Sequence, residues 1–175
     1  MKSAAVKLEP AKAVSMSLRA NALAVRLEQG ARALAELASG LTPAQWQTRV
    51  SATDARTVGV VVHHVATMYP LEIQLAQRIA SGQPVEGVTN DDVNVINAKH
   101  AREYAAVTKE AALELLRRNS ADAAAAIRAL SNEELDQATP ASLYDAPVTT
   151  QFMLEDHAVR HSYHHLAKIR RALSS

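Results

Sequence analysis

Four of the seven histidines, His157, His161, His164 and His165, fall within nine residues near the C-terminus. A neutral imidazole is a good ligand for a divalent metal ion, and near neutral pH it also carries protons. The surrounding segment reads as helix from about Thr149 to Leu173. In a helix, residues four apart lie about 40° apart on one face. His157, His161 and His165 therefore form a stair along one side. Two imidazoles at i and i+4 can grip one divalent ion, but they supply only two ligands. The rest must come from another element.

A third histidine is available on an earlier helix, expected from about Asp54 to Ala80. There His64 shares a face with Val61, Met68, Leu71 and Leu75, which favours it over His63 as the inward residue. His63 shares its face with Gly59, Arg56 and Thr67. On the last helix the apolar line runs Leu154, Ala158, Ser162, Leu166, Ile169 and Leu173, with His161 and His165 along its edge. His164 lies beside Arg160, Lys168 and Arg171 and is expected to face solvent. The inward set is thus His64, His161 and His165, an open three-imidazole site for Zn²⁺, Ni²⁺ or Fe²⁺. Asn97, His100 and Tyr104 follow one another at turn spacing on a third helix and are expected to wall a small-ligand pocket. Glu72, two turns beyond His64, is expected to be a solvated helix-face glutamate.

These side chains need helices to hold them, and the rest of the chain provides helices. Apolar residues are 48% of the 175 and aromatics only 3%, so the core is built from small aliphatic side chains, suited to close helix packing. Helix one is expected over about Ala13 to Ala38, ended by Gly40. Thr42, Pro43 and Gln45 spell a capped helical turn, and Trp46 is expected to plug the end of the core. Pro70 should bend helix two by removing the bond to the Ala66 carbonyl. Helix three is expected from Asp91 to about Leu130, perturbed near Asn119 and Ser120. Ser131 and Glu134 form a second capping box before helix four. The fold class is all-α, a four-helix bundle, with residues 1–12 as a flexible arm and 13–175 as one domain.

Composition narrows the function. The net charge of +1 argues against a nucleic-acid partner, and the cluster Lys168, Arg170 and Arg171 reads as compensation for a helix C-terminus. With no cysteine, thiolate ligands and cysteine nucleophiles are excluded, and any thiol chemistry needs an outside thiol. No segment reads as a signal peptide or membrane span, so a cytoplasmic location is expected. No Ser-His-Asp order, phosphate-binding glycine loop or carboxylate pair stands out.

Three short motifs together resemble the DinB/YfiT-like family: residues Thr57 to Ala66 around His63 and His64, Asn97-Ala98, and His161 to Arg170. The likeness runs from about Ala22 to Leu173. It implies a DinB/YfiT-like four-helix bundle, often a homodimer, in which one histidine of helix two and an H-x-x-x-H pair of helix four bind a divalent metal. By position these are His64, His161 and His165. Some relatives look like S-transferases that use bacillithiol, mycothiol or glutathione, which implies a low-molecular-weight thiol co-substrate and a small electrophile bound near Asn97, His100 and Tyr104. Metal-dependent hydrolysis and non-catalytic ligand binding are the alternatives. Relatives often carry an acid three places after the helix-two histidine; here that place is Thr67.

Overall fold

The computed structural model describes residues 17–174, so the expected arm over residues 1–12 lies outside the described residues. The elements are α1 (Leu18–Ser39), α2 (Pro43–Trp46), α3 (Val58–Ala80), α4 (Asn90–Glu103), α5 (Lys109–Arg128) and α6 (Asn132–Asp136). Two short strands follow, β1 (Ala138–Thr139) and β2 (Val148–Thr149), paired antiparallel. The chain ends in α7 (Thr150–Met153), a π-helical turn (Leu154–Val159) and α8 (Arg160–Leu173).

The four-helix bundle is present. Helix α1 packs on α5 and α8, and α3 packs on α5 and on the segment from α7 to α8. Alanine and glycine make this packing close. The buried line of α1 is Ala20, Leu23, Ala24, Leu27, Ala31, Leu34 and Ala38, at the 3–4 spacing of a single helix face. A Cβ on Gly30 of α1 would sit 2.9 Å from the Tyr163 ring and 3.1 Å from Ser162 Cβ on α8. Trp46 is buried and seals one end of the core. Its Nε1 donates to the Val107 carbonyl at 3.1 Å, and a Cβ on Gly59 would fall 2.4 Å from its indole.

The capping boxes read from the sequence form as expected. Thr42 and Gln45 cap α2 reciprocally, and Ser131 and Glu134 cap α6. The expected third helix does not form as one piece. It divides at Tyr104 to Thr108 into α4, which stands outside the four-helix core, and α5, which belongs to it. The Thr108 side chain caps α5 by accepting from the Ala111 amide, a helix start obscured by the helix formers on both sides. Only His100 is buried on α4. Ala112, not Ala111, is the inward residue at the start of α5.

No break occurs at Asn119 and Ser120; both lie inside α5. Asn119 has another task. Pro70 cannot donate to the Ala66 carbonyl, and Asn119 Nδ2 donates to that oxygen at 2.9 Å. One polar side chain of α5 thus repairs the hydrogen-bond ladder of α3. Asn119→Leu should leave the carbonyl unpaired and cost about 1–3 kcal/mol. Urea unfolding measures this, and an unchanged midpoint would show that the carbonyl finds water instead.

Candidate metal centre

Helix α3 carries His64 and α8 carries His161 and His165; the packing of α3 against α8 brings the three together. Each offers one ring nitrogen such that all three nitrogens lie within 4.8 Å of one another. His161 Nε2 and His64 Nε2 are 3.2 Å apart. Two nitrogens bound to one tetrahedral ion at 2.0–2.1 Å would be roughly 3.3 Å apart, so this pair already has ligand spacing. With every pair within 4.8 Å, none has to close by more than about 1.5 Å to reach the same value.

The protonation of these rings also fits a cation. Burial pushes His64 down to about 2, helped by His161 and the Arg56 guanidinium. Burial likewise lowers His165 strongly, with His161 and His64 adding to it. Both imidazoles are therefore neutral at pH 7, with a lone pair to give. Their Nδ1 atoms are buried and make no hydrogen bond within the protein.

Glu72 corrects the sequence reading. It is 4% exposed, not a solvated residue, and its Oε1 lies 2.6 Å from His161 Nδ1. The ring N–H is not in line with that oxygen, so the two groups are in close contact without a hydrogen bond. The misplacement has a physical origin. From Val58 to Ala66 every residue of α3 is buried, so periodicity says little there. From Tyr69 onward the buried line is Tyr69, Glu72, Ile73, Ala76 and Ile79. Leu71, expected inward, is exposed. The 3–4 spacing of that line was the available signal for Glu72.

His63, expected outward, is buried as well. The cover is α4: His63 Nδ1 is 2.9 Å from His100 Nε2, and the Tyr104 ring centroid is 4.0 Å from that of His63. Burial, then the neighbouring His63 and Arg56, push His100 down to about 4. His100 and Tyr104 thus pack on His63, whereas Asn97 faces the open pocket beside the three-histidine group. That pocket measures about 320 Å³, and Arg56, Glu72, Asp156, Arg160 and Lys168 share its lining with Asn97. Thr67 donates to the His63 carbonyl at 2.9 Å.

His157 does not join the three histidines. The π turn inserts a residue into the helical repeat, a device often met at functional sites. It places Asp156 and His157 at the pocket's edge, where Tyr144 Oη is 2.8 Å from both Asp156 Oδ2 and His157 Nε2. His164 is exposed, as its cationic neighbours on α8 implied.

The DinB superfamily model matches residues 26–169. Among solved structures, YfiT from Bacillus subtilis, described as a probable metal-dependent hydrolase with an unusual four-helix bundle topology, aligns with a TM-score of 0.70 at 20% identity. The alignment covers 95% of this chain and 91% of YfiT. The colibactin self-resistance protein ClbS, solved in complex with double-stranded DNA, aligns with a TM-score of 0.67 at 19% identity, over 92% of this chain and 98% of ClbS. No curated protein sequence matches the chain significantly. The ClbS complex overturns the expectation that near-neutral charge rules out a nucleic-acid partner. Total charge averages over the whole surface, whereas phosphate contact depends on local cations. Among the described residues no helix is long and apolar enough to cross a membrane.

Proposed function

The chain belongs to the DinB superfamily, and from that premise we propose that it is a metal-dependent enzyme whose divalent ion, Zn²⁺ or Ni²⁺, is held by His64, His161 and His165. The observation that carries this reading is the convergence of three imidazoles from two helices, two of them buried and His161 half-buried, with their ring nitrogens within 4.8 Å of one another. An ion held there supplies Lewis acidity toward a small nucleophile. The protein's own residues do the rest. His64 and His165 stay neutral and available. The small-residue core keeps α3 and α8 in close packing. The pocket walls, Asn97 among them, hold an electrophile beside the ion.

The nucleophile in this reading is a low-molecular-weight thiol. Arg56, Arg160 and Lys168 around the pocket suit the carboxylates that a thiol such as glutathione carries. Hydrolysis is the second reading, favoured by the description of YfiT as a probable hydrolase. One experiment separates them. Protein purified without a nickel column is analysed for metal, then incubated with 1-chloro-2,4-dinitrobenzene or an activated ester, with and without glutathione or cysteine. Thiol transfer predicts consumption of the electrophile that requires both thiol and metal and that a chelator abolishes. Turnover of the ester without thiol would put hydrolysis first. Metal-free protein with no affinity for added Zn²⁺ or Ni²⁺ would end both readings.

A further inference from the structure

Among the described residues, no Lys or Arg makes an ion pair with Glu72, although Arg56 and Lys168 line the same pocket. Among the described residues, the charge contact of Glu72 is with His161 alone, and its second oxygen, Oε2, makes no hydrogen bond within the protein. A carboxylate withdrawn from water and unmatched by a cation is costly. Its place on the buried line of α3 therefore calls for a positive partner on the His161 side.

The geometry says what the carboxylate does to that ring. An imidazole that donates from Nδ1 keeps its lone pair on Nε2. Glu72 Oε1 stands 2.6 Å from His161 Nδ1, and His161 Nε2 is the atom 3.2 Å from His64 Nε2. The acid is thus placed to favour a proton on Nδ1, which leaves the lone pair on the nitrogen nearest His64. Carboxylates placed behind metal-binding imidazoles orient the ring and raise its basicity. Thr67, where the family resemblance led us to look for an acid, donates instead to the His63 carbonyl.

We propose that Glu72 is the positioning residue of the three-histidine centre, holding His161 in the Nδ1–H form with Nε2 turned toward His64 and His165. The inference rests on the metal reading above, and its test has one arm that needs no metal. In that arm, ¹⁵N NMR of the metal-free protein reads the His161 tautomer. A proton held on Nδ1 is expected in the wild type, with a shift toward Nε2–H or a mixture in Glu72→Leu. In the second arm, zinc is titrated against a chromophoric chelator and cobalt(II) absorption is recorded. Zinc should bind about 10–100-fold more weakly in Glu72→Leu. Glu72→Gln, whose amide oxygen still accepts, should lose less, and the cobalt bands should shift in both variants. Thr67→Val should leave the tautomer, the zinc affinity and the cobalt bands as in the wild type. Thermal melting checks folding, and Glu72→Gln carries the test if Glu72→Leu does not fold.

A wild-type His161 found as Nε2–H, or Glu72 variants with unchanged tautomer, zinc affinity and cobalt bands, would overturn the proposal. A tautomer that follows Glu72 in a protein taking up neither zinc nor cobalt would bring down the metal reading and leave Glu72 as the residue that orients His161.

Discussion

Replacing His161 with alanine should remove tight zinc binding, while replacing His164 with alanine should leave it within about twofold. The two residues are three positions apart on α8 and chemically alike, so the contrast isolates direction. His161 Nε2 is 3.2 Å from His64 Nε2; His164 is exposed beside Arg160 and Lys168. Loss of an outer partner weakens a metal site by about 10–100-fold. Loss of one of three ligands should exceed the upper end of that range. Stability reports the same event independently. Zinc at about 100 times its Kd should add about 2.7 kcal/mol to the wild type, and close to nothing to His161→Ala. Competition titration and urea unfolding with and without zinc measure the two effects. Equal affinity losses in the two variants would show that the face of α8 assigned to the site is wrong.

Acid should weaken the metal-free protein steeply between pH 6.5 and pH 5. The folded protein holds His64 down to about 2 by burial and His165 low by the same cause, against about 6.5 in the unfolded chain. Below pH 6.5 the unfolded state therefore binds more protons than the native state. Stability from these groups is complete above that pH and is lost as pH falls toward the folded values. Each proton costs at most about 1.4 kcal/mol per pH unit. His64 and His165 together set an upper bound of about 2–3 kcal/mol from pH 6 to pH 5. Urea midpoints at pH 7, 6 and 5 test this. A flat profile would mean that the imidazoles gain protons without leaving their sites. The slope should shrink in the double variant His64→Gln/His165→Gln.

Both expectations rest on residues whose legibility in the sequence differed. His161 and His165 were readable because α8 is amphipathic, with one apolar face and one cationic face, so that spacing alone assigned directions. His64 was singled out by the apolar residues at turn spacing around it, yet of these only Val61 is buried and Leu71 is exposed, so its inward place owes more to a stretch of α3 buried on every side. His63 was not readable, since its cover comes from α4, an element that periodicity merged into α5. Glu72 was hidden by Pro70 and by a stretch of α3 buried on all sides, where the apolar pattern loses its phase. The role of Asn119 depended on a carbonyl 53 residues away in sequence, which no local pattern records.

The sequence by itself determined the all-helical class, the caps of α2 and α6 and the directions of His161, His164 and His165, because those follow from propensity, capping chemistry and a 3.6-residue repeat acting over a few turns. Only the tertiary structure decided that α4 leaves the bundle and closes over His63, that the π turn turns His157 away from the other histidines, and that Glu72 stands behind His161. Each of those outcomes depends on which surfaces meet across the bundle. Packing between elements distant in sequence sets that, and a one-dimensional pattern carries no information about the distance between two helices.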